Sequence, residues 1–450
     1  MDGSAKLALS RPDWLGRIKA GDFLDRRRVL VLGGVMLALE LVVFLFLIAG
    51  THGWIVPLER PTTTDFASFY AAGSLADSGT PALAYNESAH YAAEQAATAP
   101  GIEYQFFYYP PVFLLICALF GRLPYMAAFI GFEAVTLLLC AFVAQRIVNG
   151  RTVDEKSAAV LLPLLAFPSV FWTMGLGQNA FLTAALFGGA LLLIDRRPAL
   201  AGVLFGLLCY KPHFGLLIPV ALVTGGRWRA FIGAALSGAA TVALSIALFG
   251  WQSWLDFFTL SAGSHATYES GRIDLSGFVT LFGGLRLMNV PSDIAYAVQG
   301  IGALAAIALV AVVWRCNLSL PVRAAALAAA TLIAVPVGLV YDFLLAGIAM
   351  AWLVRAGRES GFLAWEKVTL AAIFVTPLIS RNIGTATHVP LAPLALVALV
   401  ALITRRALHE NKRENDKARH EPGLTSFDND LSYAAENDAP VSLPLRRHIA

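Results

Sequence analysis

The chain has 450 residues, of which 58% are hydrophobic and only 14% are charged. A soluble domain carries about 25% charged residues, so this composition predicts an integral membrane protein. The net charge of +3 comes from scattered basic residues without a basic stripe, which argues against a nucleic-acid-binding protein. The four cysteines lack CxxC spacing and predict neither a zinc site nor a disulfide framework.

Residues 1–28 are predicted to form a cytoplasmic leader. The stretch DWLGRIKAGDFLDRRR places Trp14, Ile18 and Phe23 loosely on one side, with basic residues opposite. This pattern indicates a short interfacial helix, and a disordered leader is the alternative.

A transmembrane domain is predicted over 29–404, because apolar runs that approach the length of a membrane crossing recur throughout it. Helices are expected, since barrel strands would show short alternating patterns. The predicted fold class is therefore an all-α integral membrane protein, a bundle of about twelve transmembrane helices. The candidate segments are 29–50, 125–147, 157–175, 179–194, 199–210, 213–224, 230–250, 293–314, 322–340, 343–354, 366–380 and 390–404.

Three regions are predicted not to cross the membrane. Residues 51–105 form a large first extracytoplasmic loop. The apolar stretch FFYYPPVFLLICALFGRLPY (106–125) is interpreted as re-entrant or as a proline-broken helix buried against protein, because a crossing there would invert everything downstream. The polar tail 405–450 has little to bury and is predicted to be disordered and cytoplasmic.

Lysine and arginine set the predicted orientation, because cytoplasmic loops are enriched in them. Placing the N-terminus inside and alternating through the candidate segments leaves six of the 33 basic residues outside. Both termini are therefore predicted to be cytoplasmic. The six outer residues are Arg60, Arg122, Lys211, Arg272, Arg286 and Arg381.

In this topology the polar residues that interrupt apolar runs fall on the outer face. Polar groups scattered by chance would divide between the two faces, so their convergence predicts a site at the outer membrane interface. They are Asp65 in the first loop, GLGQN (175–179) in a turn, YKPHF (210–214) at a hairpin tip, YDF (341–343), SRNIGTATH (380–388) in the last outer loop and the aromatic loop 251–270.

Two carboxylates are candidates for chemistry. Asp65, in TTTDFASFYAAGSL, is either the N-cap of an amphipathic surface helix or a catalytic carboxylate, and the two roles are compatible. Asp342 is either a second carboxylate of the site or a helix-terminal aspartate bonded to backbone.

The basic candidates suit a phosphate group. Pro212 breaks the apolar stretch 199–223 into two arms and places Lys211 and His213 at the outer tip. Together they offer several donors to one anion, while the alternative for the lysine is snorkelling to the interface. Arg381 is a further phosphate candidate, with surface anchoring as its rival.

Asp342 and four further polar residues are candidates for contact with a sugar or an acceptor. Gln178 and Asn179 can hydrogen-bond sugar hydroxyls or cap the following helix, and Tyr341 and the loop residue His265 complete the set. No HExxH, Walker loop, GxSxG elbow or nucleotide fingerprint occurs in a suitable context, which argues against ATP-driven transport and common hydrolases.

Several motifs occur in a characteristic order. An early outer-loop aspartate followed by SFYAAGSL precedes FFYYPPVFLL, then GLGQNAFL, then AGVLFGLLCYKPHFGLLIP with RWRA behind it. This order resembles glycosyltransferase family 87, a group of polyprenyl-phosphate-sugar-dependent mannosyltransferases and relatives in the GT-C superfamily. The resemblance covers residues 30–235 and continues weakly to VYDFLL.

The resemblance implies a GT-C-type fold, an active site on the outer face of a bacterial-type inner membrane and a first-loop catalytic aspartate that maps onto Asp65. It implies transfer of a hexose, mannose first among them, from a polyprenyl-phosphate donor to a lipid or glycan acceptor. In an inverting transfer Asp65 accepts the proton of the acceptor hydroxyl, while Lys211, His213 and Arg381 stabilise the departing phosphate. Because that phosphate leaves without an acid, no metal or other cofactor is expected.

A transporter or flippase of lipid-linked sugars is the alternative from another class. It would also have intramembrane polar residues and broken helices, but with polar groups near the midplane and accessible from both faces. Inverted internal repeats, which would favour transport, are not seen in the sequence. The clustering at one face therefore favours the transferase.

Overall fold

The computed structural model describes residues 14–49, 56–57, 61–62, 64–150, 158–263, 267 and 273–420. In this part of the chain the regular structure is helical, apart from an antiparallel pair of short strands and one isolated bridge. The strands are β1 (Val56–Pro57) and β2 (Pro61–Thr62). The helices are α1 (Trp14–Ala20), α2 (Arg26–Ala49), α3 (Phe66–Asp77), α4 (Glu87–Ala97), α5 (Leu114–Phe120), α6 (Tyr125–Asn149), α7 (Ala158–Leu165), α8 (Pro168–Leu176), α9 (Ala180–Leu193), α10 (Pro198–Gly206), α11 (Ile218–Thr224), α12 (Trp228–Ala262), α13 (Leu281–Leu287), α14 (Ser292–Arg315), α15 (Leu320–Ala334), α16 (Leu344–Ser360), α17 (Glu366–Thr387) and α18 (Leu391–His420). Short 3-10 turns span Pro81–Tyr85, Leu207–Tyr210, Pro212–Gly215 and Leu275–Gly277.

Six of these helices are long and apolar enough to cross a membrane, namely α2, α6, α12, α14, α17 and α18. Shorter apolar helices accompany them, including the arms Pro198–Tyr210 and Pro212–Thr224, which flank Lys211. Every one of the twelve candidate segments contains helix, although 157–175 is divided between α7 and α8 before Pro168. The predicted class, an all-α multi-pass membrane protein, is confirmed.

Helix α15 forms the centre of the bundle. Its sequence LPVRAAALAAATLIA is rich in alanine, and all of its residues except Leu320 and Arg323 are buried. Small side chains let the neighbouring helices α14, α16 and α18 approach closely, as is usual between membrane helices. Helix α12 instead leaves Leu236, Leu244 and Leu248 exposed, as expected of a surface that faces lipid.

The predicted first loop contains folded helices. Helices α3 and α4 pack on each other, and α3 packs on α5. At this crossing Gly73 lies against the backbone of Cys117, where a Cβ at position 73 would overlap the carbonyl group. The segment 106–125 does not form a crossing helix: it contains α5, only 7 residues long, with Leu114 and Cys117 buried. This agrees with the proline-broken helix predicted there.

The tail begins later than predicted. Helix α18 continues to His420, so residues 405–420 are helical and the prediction of disorder from 405 is wrong for them. Within this extension Arg406 is held in the protein, because its buried guanidinium donates to both carboxylate oxygens of Glu366, at 2.7 and 2.6 Å, and to Ser360. Residues 421–450 lie outside the described part of the chain.

Two predicted outer loops are largely helical. Helix α17 runs through Thr387, so SRNIGTATH is helical up to its last residue, His388, and Arg381 lies on a regular helix. Helix α12 reaches Ala262, with a kink at Gly250, whose φ of 75° and ψ of 161° are not helical. The kink separates the predicted membrane-crossing segment 230–250 from the aromatic stretch that begins at residue 251. In the predicted leader, residues 14–20 form α1, and α2 begins at Arg26, before the predicted start of the membrane domain. The division of the chain into leader, membrane domain and tail stays a prediction.

Candidate active site

Asp65 stands at the N-cap position of α3, but its side chain makes no capping hydrogen bond. Its carboxylate instead accepts a 2.7 Å hydrogen bond from Nε2 of Gln178, 113 residues further along the chain. The capping alternative is therefore wrong for this side chain. The carboxylate is held by a tertiary contact and not by its own helix.

A cluster of aromatic rings holds the residue beside Asp65. The ring of Phe66 is fully buried. Because edge and tilted ring contacts of this kind fix orientation as well as area, the first turn of α3 has a defined position. The rings around Phe66 are Phe120 at 5.1 Å, Phe129 at 5.2 Å, Tyr125 at 5.6 Å and Phe132 at 6.1 Å between centroids.

Gly177 brings Gln178 to Asp65. It ends α8 in the left-handed conformation, with φ 68° and ψ 43°, which non-glycine residues rarely adopt. A Cβ at this position would also lie 2.6 Å from Cβ of Phe66 and 2.7 Å from the ring of Phe129. The turn in GLGQN therefore requires glycine for two reasons, and it delivers the following amide to the carboxylate.

Gln178 is buried and uses both ends of its amide within the protein. Its Oε1 accepts a 3.2 Å hydrogen bond from the hydroxyl of Tyr109, while its Nε2 donates to Asp65. Asn179, fully buried, interacts with the same tyrosine. The two hydrogen bonds of Gln178 thereby fix the orientation of its amide, and the bond to Asp65 links the turn after α8 to the predicted first loop.

Asp65 is half-buried, and burial raises the pKa of its carboxyl to about 6. The hydrogen bond from Gln178 and the positive charges of Arg381 and Lys211 act in the opposite direction and lower this pKa. A carboxylate with such a pKa is ionised at neutral pH, yet it is a stronger base than an ordinary aspartate. The environment therefore suits a group that accepts a proton.

Lys211 and Asp342 form a buried ion pair. The Nζ of Lys211 lies 2.8 Å from Oδ1 of Asp342, and both side chains are almost inaccessible. The other oxygen, Oδ2, accepts the backbone N–H of Leu339, so Asp342 also makes the backbone contact considered in the sequence. An ammonium group has three donors, and this pair uses one of them. The rings nearest to the ammonium are Phe214 at 5.4 Å, Tyr341 at 5.5 Å and Tyr109 at 5.9 Å.

Arg381 is oriented by two neighbours. Its Nε donates to Oδ2 of Asp274 at 3.0 Å, and its guanidinium lies 5.4 Å from the ring of Trp172. Burial on its own raises the pKa of Asp274, but hydrogen bonds from Ser276 and the charge of Arg381 outweigh it and leave the pKa below its usual value. Asp274, which accepts the hydrogen bond from Arg381, is therefore ionised.

The structure brings most of the predicted site residues together. Asp65 experiences the charges of both Lys211 and Arg381, although the three lie on distant parts of the sequence. His213 has an exposed side chain, and its ring is electrostatically coupled to Lys211 and Asp342. Tyr341 is buried beside the ammonium. His265 lies outside the described residues.

Three residues of the site were missed from the sequence. Tyr109 was considered only as part of the apolar motif FFYYPPVFLL. Its position before two prolines, where a buried stretch rarely ends in tyrosine, was the available indication. Asp274 carried a readable signal, because the Asp-x-Ser spacing of DLS predicts the turn in which Ser276 donates to Asp274. Trp172, in the middle of an apolar run, gave no signal.

The fold and the site define a polytopic membrane protein with a carboxylate and two cations in one electrostatic cluster. The family model of glycosyltransferase family 87 matches residues 107–339. The chain belongs to this family and is therefore a membrane glycosyltransferase, which moves a sugar from a donor to an acceptor. Comparison with curated proteins and with solved structures finds no match. The matched region includes Tyr109, Gln178, Lys211 and Asp274, whereas Asp65 precedes it.

Proposed function

We propose that this glycosyltransferase moves a hexose, mannose first among them, from a polyprenyl-phosphate donor to a lipid or glycan acceptor. The reaction takes place on the extracytoplasmic face of a bacterial-type inner membrane and inverts the anomeric centre. One observation carries the proposal. The carboxylate of Asp65 makes no capping bond, receives a hydrogen bond from Gln178 and lies within the field of Lys211 and Arg381.

Asp65 acts as the general base in this reaction. The acceptor hydroxyl attacks the anomeric carbon as Asp65 takes its proton, and the bond from that carbon to the phosphate oxygen breaks. A phosphate is a good leaving group without protonation, so one carboxylate suffices where glycosidases usually need two. The raised pKa of Asp65, about 6, strengthens it as a base without protonating it at neutral pH.

The cations stabilise the charge that develops on the departing phosphate. Arg381 is held at Nε by Asp274, and Lys211 keeps two donors beyond its bond to Asp342. His213, exposed beside this pair, contributes a further donor. Because Lys211 and Arg381 supply the positive charge, we propose a reaction without a metal.

The remaining candidates have roles that their contacts favour. Gln178 uses both amide atoms on protein groups, so we assign it to positioning Asp65 more than to binding sugar. Asn179, Tyr341 and Asp342 stay proposed contacts of sugar or acceptor, as does His265.

The orientation that we propose places two ion pairs on the cytoplasmic side. Arg227 pairs with Asp195 at 2.6 Å, and Arg406 pairs with Glu366, both in segments predicted to be cytoplasmic. Cysteine labelling of a Ser88→Cys variant in sealed cells tests it, because this exposed position on α4 is predicted to react from outside. Labelling from the cytoplasmic side alone would overturn the proposed face.

A transport function is the less favoured candidate. Membership of a glycosyltransferase family supports transfer, and the clustering of Asp65 with Lys211 and Arg381 gives a base and a phosphate site to the same enzyme.

Lipid extracted from the purified protein, identified by mass spectrometry, tests the donor. We expect a sugar phosphate on polyprenol, and we expect the purified enzyme to transfer that sugar in the presence of a chelator. A matched sample of the Asp65→Asn variant serves as control, because it should retain the donor without using it. A nucleotide sugar as the sole active donor would overturn the proposal.

A further inference from the structure

A second ionisable pair lies buried beside the first turn of α3. His90 and Glu94 are one turn apart on α4, and neither side chain is accessible. Nδ1 of His90 lies 3.6 Å from Oε1 of Glu94, and neither atom has a hydrogen-bond partner within the described residues. The proposed reaction gives neither residue a role.

The hydrogen bonds around this pair fix the position of its protons. Nε2 of His90 lies 3.0 Å from the carbonyl oxygen of Ser68, which can only accept, so Nε2 carries the hydrogen. Nδ1 of the neutral ring is then an acceptor. Oε2 of Glu94 accepts the backbone N–H of Gln105 at 3.1 Å. The 3.6 Å between Oε1 and Nδ1 is longer than a hydrogen bond, so a single proton on Oε1 joins the two atoms once the side chains approach by several tenths of an ångström.

Burial favours the neutral form of each group. It lowers the pKa of the His90 ring to about 4 and raises the pKa of Glu94 to about 8. The negative charge of Asp65 contributes to this rise for Glu94, while the hydrogen bond from Gln105 acts against it. At neutral pH the ring is uncharged and the carboxyl carries the proton.

The pair is connected to the catalytic carboxylate through one turn of helix. Ser68, whose carbonyl accepts from His90, donates its own N–H to the carbonyl of Asp65 at 3.1 Å. The His90 ring also contacts aromatic side chains. The rings of Tyr104 and Phe107 each lie 5.7 Å from that of His90, and Tyr125 also interacts electrostatically with both carboxyl groups.

We propose that His90 and Glu94 are positioning residues that share one proton, hold the turn presenting Asp65 and keep a second negative charge away from it. This inference rests on the proposed role of Asp65 as the base. Its tests therefore include one measurement that does not depend on activity.

The first test compares Glu94→Gln with Glu103→Gln, an exposed carboxylate in the same region. The amide introduced at position 94 donates to His90 and accepts from Gln105, as the protonated carboxyl does. We expect both variants to keep kcat within about twofold of the parent. The acid limb of the pH profile, where activity falls as the pH decreases, should lie at the same pH as in the parent. If Glu94 were ionised, Glu94→Gln would remove a charge that raises the pKa of Asp65. A shift of its acid limb to lower pH by more than about 0.5 unit would overturn the proposal.

The second test removes the histidine. His90→Ala takes away both the bond to Ser68 and the partner of Glu94, so Glu94 becomes able to ionise. We expect kcat to fall by about 10- to 100-fold with little change in the KM for the donor, and the acid limb to move to higher pH. Adding Glu94→Gln to His90→Ala should return the acid limb to its parental position without restoring kcat. A double variant with the same acid limb as His90→Ala would contradict the shared proton.

Infrared difference spectra of the protein and Glu94→Gln provide the independent measurement. A protonated carboxylic acid stretch at neutral pH that disappears in the variant is expected, and a carboxylate band in its place would overturn the inference. This result stands even if Asp65→Asn proves active and His90→Ala fails to fold.

Discussion

Gln178 donates a 2.7 Å hydrogen bond to Asp65, although 113 positions separate the two residues. The contact joins the loop preceding α3 to the turn that follows α8. It depends on Gly177, whose missing side chain lets the turn lie against Phe66. Both partners lie near the cationic groups Lys211 and Arg381, so the bond belongs to the site and is not a remote structural contact.

Replacing Asp65 with asparagine should abolish transfer while leaving the fold intact. The side chain makes no capping bond, so its charge is not needed for α3 to form. Loss of a general base typically costs about 10²- to 10⁴-fold in rate, and we expect kcat to fall by that amount. Asp77→Asn is the matched control, because Asp77 ends the same helix in an ion pair with the largely exposed Arg122. Near-parental transfer by a stable Asp65→Asn variant would exclude the base role.

The pH dependence of kcat/KM should show an acid limb near pH 6. Asp65 accepts a proton only when ionised, and its pKa is raised to about 6, so activity falls as the pH decreases through that value. The positive charge of Arg381 lowers this pKa. Arg381→Gln should therefore move the acid limb to higher pH, and a limb that stays in place or moves to lower pH would contradict the electrostatic coupling.

Gln178→Leu should reduce kcat more than donor affinity. The substitution removes the donor that holds the carboxylate, and a hydrogen bond to a charged group contributes about 1.5 to 3 kcal/mol. We expect kcat to fall by about 10- to 100-fold, which steady-state kinetics with donor and acceptor varied separately would measure. Thr183→Val serves as control, since Thr183 is a buried polar residue on the next helix, bonded to Tyr210.

Lys211→Met should destabilise the protein more than the double variant with Asp342→Asn. Removing the ammonium alone leaves a buried carboxylate uncompensated, at a cost of about 3 to 5 kcal/mol, whereas the double variant removes both charges. Thermal unfolding in detergent measures the difference. Donor affinity should stay weak in both variants, and tight donor binding by a stable double variant would remove Lys211 from the phosphate site.

Arg406→Ala should lower thermal stability without a specific effect on transfer. Its guanidinium donates to Glu366, Ser360 and the carbonyl of Gly361 in a buried network, so truncation leaves several acceptors without donors. A loss of about 3 to 5 kcal/mol is expected. Glu410→Gln should change little by comparison, because Glu410 is half-buried on the same helix as Arg406 and only accepts from Ser319. Equal melting temperatures for the parent and Arg406→Ala would contradict this role.

Hydrophobic runs predicted the helices well because a membrane-crossing helix must be apolar along its length. They failed where a helix continues into polar sequence, as α18 does beyond residue 404 and α17 beyond residue 380. The motifs predicted for the outer face include Asp65, Lys211 and Arg381, which the structure brings into one electrostatic cluster. They did not predict that Lys211 would pair with Asp342, or that Gln178 would contact Asp65. Hydropathy along the sequence indicates how deep a residue lies in the membrane, but it does not indicate which residue it contacts.

In the proposed reaction, the pairing of Lys211 with Asp342 would affect product release. A polyprenyl-phosphate sugar is a diester with a single negative charge, whereas the polyprenyl phosphate left behind is a monoester that approaches two. A site with unopposed cations would hold this product more tightly than its substrate and would become inhibited by it. In the proposed reaction Asp342, 2.8 Å from the ammonium, would oppose the additional charge and favour release of the polyprenyl phosphate.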